Sequence, residues 1–311
     1  MFEIAAIIIN YNSNNLTKEC VNSILNKTNP LINLQIIIID NCSEKEDYTS
    51  LRDFCDTHHF KNLQLIRSNI NTGFGAGNMI GFHAANAKYI AFVNNDTVFL
   101  NDNFSILKTA IEKDENIGIV GGQSFNQKGK QMIAFNHFSS VAKELFGRDF
   151  LEIINPEKYP KRKLEYKKPL KVNYVQGSFM FMRSKDFKNV GGFDTNIFLY
   201  YEETDLALRL LKNGKFNYLV PDAKYIHHHG ASTPKGILTK TELKISLLYI
   251  IRKHHGYLCF LFLLNFFRFN YFFKTLIKPQ YWYLFKVLLV GAPISKSLKT
   301  KQQIKIEYGN I

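Results

Sequence analysis

Two amides and a carboxylate end an otherwise apolar stretch of the chain, YIAFVNNDTVFL (89–100). Such a run predicts a buried β-strand, with Asn94, Asn95 and Asp96 at its carboxyl end. In open α/β sheets, ligands bind in the crevice beyond the carboxyl ends of the strands. A carboxylate flanked by amide oxygens there suits a hard divalent cation that shares its charge with a substrate diphosphate. An Asx turn that ends the strand is the simpler alternative for these three residues alone.

A cluster of carboxylates follows an aromatic pair in the segment FLYYEETDLALRL (198–210). Glu202, Glu203 and Asp205 fall at the start of a predicted helix, where acidic side chains interact favourably with the helix dipole. Two adjacent glutamates and an aspartate exceed what this capping requires. One of these carboxylates is therefore a candidate general base that deprotonates an attacking hydroxyl group.

Three consecutive histidines, His227, His228 and His229, end the segment YIHHH (225–229). Strand alternation sends the first and third to one face of a strand and the second to the other. Imidazole binds divalent transition metals, so a histidine beside Asp96 can complete a metal site. A packed or solvated histidine cluster is the alternative.

Short apolar runs rich in β-branched residues alternate with helical patterns through the first hundred residues. The predicted strands, separated by helices, lie at residues 4–10, 34–40, 63–68 and 88–96. This order is typical of a mostly parallel α/β sheet of the nucleotide-binding type, with right-handed connections. The second strand ends in Asp40, Asn41 and Ser43, which reach the same crevice and can hydrogen-bond a ribose or a base.

A glycine-rich segment, NINTGFGAGN (69–78), precedes the helix between the third and fourth strands. Its spacing matches neither GxGxxG nor a P-loop, because no GK[ST] follows. Its glycines let backbone amides approach a phosphate or a sugar closely.

The second half of the body has a less regular pattern. Residues 146–171 are rich in Lys, Pro and Tyr and lack periodicity, which indicates either disorder or a flap over a site. We then predict a strand at 172–184, a helix at 205–215 that Gly214 closes, and a final pair of strands within 216–230.

The tail differs from the body in charge. The chain has 311 residues and a formal net charge of +14, and residues 243–306 hold eleven basic residues and no Asp or Glu. The nearly neutral body, predicted as one domain at 1–240, argues against a nucleic-acid partner. The basic and aromatic tail, 241–311, fits amphipathic helices on an anionic membrane surface. A cap buried against the sheet domain and a dimer interface are the alternatives.

The tail holds an uncharged stretch of about fourteen residues between Lys253 and Arg268, shorter than the ~20 needed to span a bilayer. The four cysteines show neither metal-ligand spacing nor a disulfide framework, which is typical of a reduced, cytosolic protein. The N-terminal run follows Glu3 and lacks a cleavage site, so we expect no signal peptide.

The order of these segments is more specific than any one of them. It runs NYN, DNCS, NTGFGAGN, FVNND, GSFMFMRSKDFKNVGGFD, FLYYEETDLALRL and HHHGAS. With these segments, residues 4–232 resemble the inverting glycosyltransferases of family 2, which have the GT-A nucleotide-diphospho-sugar transferase fold. The resemblance is greatest to the rhamnosyltransferase-like branch, which builds bacterial cell-surface polysaccharides.

The resemblance implies roles for individual residues. Asp96 matches the retained carboxylate of the DxD element, which binds Mg²⁺ or Mn²⁺, and Asn94 replaces its first acid. His227, with His229 second, matches the metal-ligand histidine. The implied contacts to the nucleotide sugar are Asn10, Tyr11, Asp40, Asn41, Ser43, Asn71, Gly73, Gly75, Gly77, Asn78, Asn94, Asn95 and Asp205. Glu203 falls on the catalytic base, and Glu202 is its rival because glutamate replaces the aspartate of the pattern.

The implied reaction is transfer of a sugar from a dTDP- or UDP-sugar to a hydroxyl group, with inversion. The acceptor would be a glycan, carried by a polyprenyl diphosphate at the inner face of the bacterial plasma membrane. Two alternatives from other classes are a nucleotidyltransferase and a non-catalytic nucleotide-sugar-binding component of an assembly complex. A nucleotidyltransferase normally has a basic glycine-rich loop near its N-terminus, and IINYNSNNLTKEC contains no glycine.

Overall fold

A computed structural model describes residues 1–58, 60–228 and 236–305, in which helices flank a central sheet. The strands are β1 (Phe2–Asn10), β2 (Leu34–Asp40), β3 (Leu63–Arg67), β4 (Ala87–Asn94), β5 (Thr97–Phe99), β6 (Ile117–Phe125), β7 (Phe135–Asn136), β8 (Leu170–Val172), β9 (Tyr174–Val175), β10 (Phe179–Arg183) and β11 (Phe216–His227). The helices are α1 (Asn14–Lys27), α2 (Lys45–Thr57), α3 (Gly73–Ala84), α4 (Asn103–Glu112), α5 (Val141–Phe146), α6 (Arg148–Ile154), α7 (Ser184–Asn189), α8 (Glu202–Lys212), α9 (Ile237–His255), α10 (Tyr257–Ile277) and α11 (Trp282–Leu289).

The central sheet of the described residues is mostly parallel. Its strand order is β3-β2-β1-β4-β10-β6-β11-β5, and β8 pairs with β11. Strands β1 to β4 run parallel to one another, as do β6 and β11, whereas β10, β5 and β8 run antiparallel to their neighbours. Every residue of β2 is buried, because helices cover both faces of the sheet. The predicted α/β class is confirmed.

The predicted final pair of strands is a single strand, β11, so that prediction was wrong. Its ladder with β6 shifts register between Val220 and Lys224, which is a bulge. Pro221, which has no N–H to donate to a ladder, lies in this bulge. A Cβ on Gly122 of β6 would lie 2.5 Å from the backbone oxygen of Ala223, so the bulge requires glycine opposite it.

The predicted excursion at 146–171 is ordered and contains the short helix α6. Arg162 anchors it, since its Nε donates a 2.6 Å hydrogen bond to Glu152 Oε1, and both side chains are buried. His137 Nε2 lies 3.1 Å from the same carboxylate oxygen. This buried network holds the excursion against the sheet domain.

The helices α9, α10 and α11 form a second apolar core. Its fully buried members include Leu247, Leu248, Leu263, Leu284 and Leu288. Val141 and Tyr201 of the sheet domain pack against this core, so the C-terminal extension, residues 236–305, is joined to the body by apolar contacts. The predicted boundary between residues 240 and 241 falls inside α9.

Helix α10 has two apolar faces. One face packs in the second core, and the other exposes large apolar side chains, namely Leu258, Phe262, Phe269, Phe272, Phe273, Leu276 and Ile277. Among the described helices, α10 is the one long and apolar enough to cross a membrane, and a core helix can pass the same criterion. A third of its most apolar stretch is buried in the structure.

Candidate active site

The β4–β5 turn carries Asp96, and the end of β11 carries His227. Pairing of β5 with β11 places His227 opposite Thr97, so Asp96 Oδ1 lies 3.1 Å from His227 Nε2, and both side chains are buried. Apart from this contact, Asp96 Oδ1 has no hydrogen-bond partner among the described residues. A buried carboxylate oxygen beside an imidazole suits Mg²⁺ or Mn²⁺. Within residues 1–58, 60–228 and 236–305, no group of three His, Cys, Asp or Glu side chains could hold a metal.

The neighbouring histidine points elsewhere. His228 Nδ1 lies 2.6 Å from Gln127 Nε2, and its Nε2 lies 3.6 Å from Glu19. His227 is therefore the one of these two that faces Asp96, as strand alternation requires. His229, the second expected metal ligand, lies outside the described residues.

A cavity of about 630 Å³ opens beside the β4–β5 turn, at the carboxyl ends of β1 and β4. The residues expected to contact a nucleotide sugar that line it are Tyr11, Asn41, Asn71, Gly73, Asn94 and Asn95. The sheet domain adds apolar walls from Ile9, Phe74, Val93, Phe198 and Leu199. We call this space the donor cavity.

The C-terminal extension closes one side of the donor cavity. The extension contributes Gly236, Ile237, Leu238, Thr239, Leu298 and Gln302. Lys305 holds its end in place, because its N–H donates a 2.8 Å hydrogen bond to Asn69 and its Nζ lies 2.7 Å from Glu44. No periodicity or motif could have revealed these contacts, which join segments more than two hundred residues apart.

Three of the expected donor contacts form a buried network instead of lining the cavity. Asn10 Nδ2 donates hydrogen bonds to Asp40 Oδ1 at 2.9 Å and to Ser43 Oγ at 3.0 Å. The same amide group donates at 2.8 Å to Asp47, which the sequence analysis did not select. Asp40 is also 3.8 Å from Arg67 Nε, so its carboxylate is already satisfied. These residues hold the ends of β1 and β2 together and thereby shape the cavity edge.

Residues 73–78 of the glycine-rich segment form the first turns of α3, and residues 69–72 precede the helix. Gly73 has φ +81°, and a Cβ there would lie 2.2 Å from Phe198 O, which accepts the N–H of Phe74 at 3.0 Å. Gly75 and Gly77 let α3 pack closely, because their Cβ atoms would lie 3.3 Å from Phe193 and 3.0 Å from Ile9. Gly75 and Gly77 therefore serve packing, and of the three glycines Gly73 lines the donor cavity.

Three asparagines complete the local structure around α3. Asn41 Nδ2 donates to Asn71 Oδ1 at 3.0 Å, and this oxygen also accepts the N–H of Gly73 at 3.0 Å. Asn78 is buried, and its Nδ2 donates to Phe74 O at 3.0 Å within the helix. The Asn41–Asn71 pair fixes the cavity wall, whereas Asn78 stabilises the helix.

The carboxyl group of Glu203 lies beside the turn that leads into β10. A Cβ on Gly177 of that turn would lie 3.9 Å from Glu203 Cδ and 3.7 Å from Phe74 Cζ, which lines the donor cavity. The next residue, Ser178, accepts a 2.9 Å hydrogen bond from the N–H of Asn94. One turn therefore contacts the Glu203 region, the donor cavity and the strand that leads to Asp96.

The two adjacent glutamates differ in environment. Glu202 is buried against α3, and its Oε1 has no hydrogen-bond partner within the described part of the chain. Burial and the neighbouring charge of Glu203 hold the pKa of Glu202 well above its usual range. Burial also raises the pKa of Glu203, against the opposing charge of Lys143. Glu203 is partly exposed, so it is the more accessible base.

Asp205, expected as a donor contact, contacts the extension and does not line the donor cavity. Its carboxylate accepts a 2.8 Å hydrogen bond from Arg209 Nε and lies 2.8 Å from His254 Nε2. Lys253 Nζ lies 2.7 Å from the same group, which is fully buried. With both oxygens engaged, Asp205 joins α8 to α9.

Comparisons with known proteins agree with this arrangement. Residues 5–191 match the family described as Glycosyl transferase family 2. The rhamnosyltransferase WbbL of Escherichia coli strain K12 is 30% identical over 232 residues, which cover 70% of this chain and 83% of the relative. The N-acetylglucosaminyl-diphospho-decaprenol L-rhamnosyltransferase of Mycobacterium tuberculosis strain H37Rv is 33% identical over 88 residues, which are 28% of this chain and 29% of the relative.

Solved structures show the same fold at low sequence identity. The crystal structure of GalNAc-T7 with UDP, GalNAc and Mn²⁺ has a TM-score of 0.58 and 14% identity, and the match covers 79% of this chain and 47% of that chain. The S. aureus TarS structure has a TM-score of 0.52 and 12% identity, covering 81% of this chain and 40% of that chain. The fold is thus GT-A-like, and the chain matches less than half of each solved chain. With most of its body matched, the chain belongs to glycosyl transferase family 2, and its relatives place it among the rhamnosyltransferase-like members.

Proposed function

We propose that the protein transfers a sugar from a dTDP- or UDP-activated donor to a hydroxyl group of a glycan, with inversion at the anomeric carbon. The observation that carries the proposal is the convergence of the Asp96–His227 pair, the donor cavity and the Glu203 region on the β4–β5 and β10 turns. The E. coli and M. tuberculosis relatives are rhamnosyltransferases, which supports rhamnose as the transferred sugar.

The donor cavity suits a nucleoside diphosphate. Its aromatic walls, Tyr11, Phe74 and Phe198, offer ring faces and edges to a base. The amides of Asn94 and Asn95 lie at the end of the cavity that leads to Asp96. The nucleoside would therefore bind between the aromatic rings, with its diphosphate towards the β4–β5 turn.

Asp96 and His227 would hold Mg²⁺ or Mn²⁺, and a related fold was solved with UDP and Mn²⁺. Such a cation, when bound, neutralises charge that builds on a departing diphosphate. The chain's own contribution is to hold the carboxylate and the imidazole at a fixed separation, through the β5–β11 ladder.

Glu203 acts as the general base. The acceptor oxygen forms the new glycosidic bond while the bond from the anomeric carbon to the diphosphate breaks, and the acceptor proton passes to the Glu203 carboxylate. Because burial raises the pKa of Glu203, its carboxylate is a stronger base than an exposed glutamate. Attack from the face opposite the leaving group inverts the configuration.

The acceptor is a glycan carried by a polyprenyl diphosphate, in bacterial surface-polysaccharide synthesis. The printed name of the M. tuberculosis relative includes a diphospho-decaprenol, which supports this class. The exposed apolar face of α10 and the basic tail support attachment to the inner face of the plasma membrane.

A transfer assay tests the proposal. Purified full-length protein is mixed with Mn²⁺, a panel of dTDP- and UDP-sugars and a polyprenyl-diphosphate-linked N-acetylglucosamine acceptor. We expect release of a nucleoside diphosphate and a product whose anomeric configuration, measured by NMR, is opposite to that of the donor. Retention of configuration would contradict the mechanism. Binding without turnover, or consumption of a nucleoside triphosphate with a sugar phosphate, would contradict the proposed function.

A further inference from the structure

A second cavity of about 630 Å³ lies among α5, α6 and α9. Basic side chains dominate its lining, namely Lys143, Arg148, Arg162, Lys163 and Lys244. Tyr201, the residue that precedes the Glu202–Glu203 pair, also lines it. Lys143 and Glu203 interact electrostatically, so this basic cavity lies close to the proposed general base.

The positive charge of the basic cavity is only partly balanced. Its lining holds two acidic residues, Glu144 and Asp149, against five basic ones. Lys244 Nζ is 3.8 Å from Glu144, and Lys163 Nζ is 3.7 Å from Asp149. Arg162 is committed to Asp149 and to the buried Glu152 beyond the lining. The other two cations of the lining are Lys143 and Arg148.

Lys143 is buried, with 4% of its surface exposed, and its Nζ donates only to neutral acceptors. These are His137 O at 2.8 Å and Ser139 Oγ at 3.3 Å. Arg148 is exposed, and neither it nor Lys143 forms an ion pair among the described residues. A buried ammonium whose hydrogen-bond acceptors are all neutral is costly, and an anionic ligand would offset that cost. The basic cavity therefore has the charge and the enclosure of an anion site.

The basic cavity borders exposed apolar side chains. Phe146 lines it and is 61% exposed, and Ile153 on the following helix is 74% exposed. Lys244 lies over the ring of Phe267 in α10, with its Nζ 3.8 Å from the ring centroid. Phe267 itself is buried in the second core, so the exposed apolar side chains beside the basic cavity are those of α5 and α6. An anion that binds here can therefore carry a long apolar chain along this surface.

We propose that the basic cavity binds the diphosphate of a polyprenyl-diphosphate-linked acceptor. The prenyl chain lies on the exposed apolar side chains of α5 and α6, namely Phe146, Phe150 and Ile153, and the first sugar is directed towards Glu203. This inference rests on the proposed function, because it assigns the site that holds the acceptor of that reaction. The apolar border favours a lipid-linked diphosphate over a free phosphate ion.

The test compares two charge-reversal variants of the full-length protein. Arg148→Glu combined with Lys163→Glu changes two exposed residues of the basic cavity. The matched control, Lys61→Glu combined with Lys113→Glu, makes the same charge change at exposed lysines outside that lining. Flotation measures binding to phosphatidylcholine vesicles that contain either a polyprenyl diphosphate or phosphatidylglycerol. Thermal unfolding in parallel shows that both variants are folded.

We expect the basic-cavity variant to lose at least about tenfold in affinity for the polyprenyl-diphosphate vesicles, since charge-assisted hydrogen bonds contribute on that scale. Its affinity for phosphatidylglycerol vesicles should fall less, and the control should match wild type on both. An equal loss on both vesicle types would overturn the proposal and indicate a general membrane-charge effect. Wild-type affinity of the basic-cavity variant would also overturn it.

The transferase proposal and the basic-cavity proposal can fail independently, because different measurements test them. A wild-type protein that turns over no nucleotide sugar would refute the transferase reaction. The vesicle comparison would still decide whether the basic cavity recognises a lipid-linked diphosphate.

Discussion

Asp96 Oδ1 and His227 Nε2 lie 3.1 Å apart although their strands are far apart along the chain. The antiparallel β5–β11 pair brings them together, and the N–H of His228 donates a 3.0 Å hydrogen bond to the backbone oxygen of Asp96. The β4–β5 turn is therefore fixed to the end of β11. We expect this pair to control metal-dependent donor binding.

Replacing either member should weaken donor binding in Mn²⁺. For Asp96→Asn and His227→Gln, we expect at least about a tenfold rise in the Kd of dTDP or UDP, since metal sites depend this strongly on their ligands and supporting groups. Calorimetric titration with and without a chelator measures it. His228→Gln is the control, because that side chain faces Gln127 and Glu19. Equal affinity in all variants, unaffected by the chelator, would refute the metal role.

Gly73→Ala should destabilise the protein more than Gly129→Ala. Both glycines have positive φ, +81° and +73°, so both substitutions introduce left-handed strain of about 1–2 kcal/mol. Only at Gly73 would the new Cβ meet a neighbour, Phe198 O at 2.2 Å, whereas Gly129 has nothing within 4 Å. We expect a further loss of about 1–3 kcal/mol at Gly73 and weaker nucleotide binding. Equal unfolding free energies in urea would contradict this packing role.

Asp205→Asn should lower the free energy of unfolding by about 1.5–3 kcal/mol, because the buried carboxylate loses its charge-assisted hydrogen bonds to Arg209 and Lys253. The exposed Asp53→Asn, which loses only the Arg52 pair, should cost less than about 1 kcal/mol. Urea unfolding measures both. A similar small loss in both variants would show that Asp205 does not hold α8 to α9.

The contribution of Asp205 should also depend on pH. Burial alone would raise its pKa, but the hydrogen bond from His254 and the charges of Arg209 and Lys253 outweigh burial and hold the pKa below its usual range. A lowered pKa means that the unfolded chain binds the proton first as pH falls. The stabilisation is therefore full above about pH 4 and is lost on further acidification through the lowered pKa. As pH falls below about 4, the difference in unfolding free energy between wild type and Asp205→Asn should therefore become smaller, which urea unfolding at each pH measures.

The exposed face of α10 should carry membrane attachment. Leu258→Glu combined with Phe269→Glu changes two exposed side chains, so the second core stays intact. We expect flotation with anionic vesicles to fall at least about tenfold, because burial of each side chain contributes about 1.5–3 kcal/mol. Leu31→Glu, at an 88% exposed position before β2, is the control. Unchanged flotation would show that the membrane contact lies elsewhere.

The strand pattern of the N-terminal half could be predicted because burial on both faces leaves an uninterrupted apolar run. Leu34–Asp40 was predicted with its observed bounds, since every residue there is buried. The bent strand β11 was misread as two strands, because Pro221 and Asp222 interrupt its apolar pattern at the bulge. Local composition shows that the apolar pattern is interrupted, and it does not show whether the same strand continues beyond the interruption.

The candidate site was only partly predictable for a similar reason. Residue type indicated Asp96 and His227 as partners, and pairing across the sheet brings them together. The buried roles of Asn10 and Asp205 depend on which distant groups fold against them. The contribution of Gln302 to the donor cavity likewise arises from a long-range contact. Spacing along the chain carries no information on such contacts.

The assignment of the general base is tested most directly by comparing Glu203→Gln with Glu202→Gln. Burial raises the pKa of Glu202 well above its usual range and so favours its protonated form, which the amide variant resembles. Glu203 must be ionised to accept a proton, and its raised pKa should place the acidic limb of kcat above the usual range of glutamate.

The decisive measurement is kcat for sugar transfer at neutral pH, with the Kd of the nucleotide measured on the same preparations. We predict that Glu203→Gln lowers kcat by about 10²–10⁴-fold with nucleotide affinity unchanged, and that Glu202→Gln retains most of its turnover. Wild-type kcat in Glu203→Gln, or the large loss in Glu202→Gln instead, would contradict the assignment of Glu203 as the base.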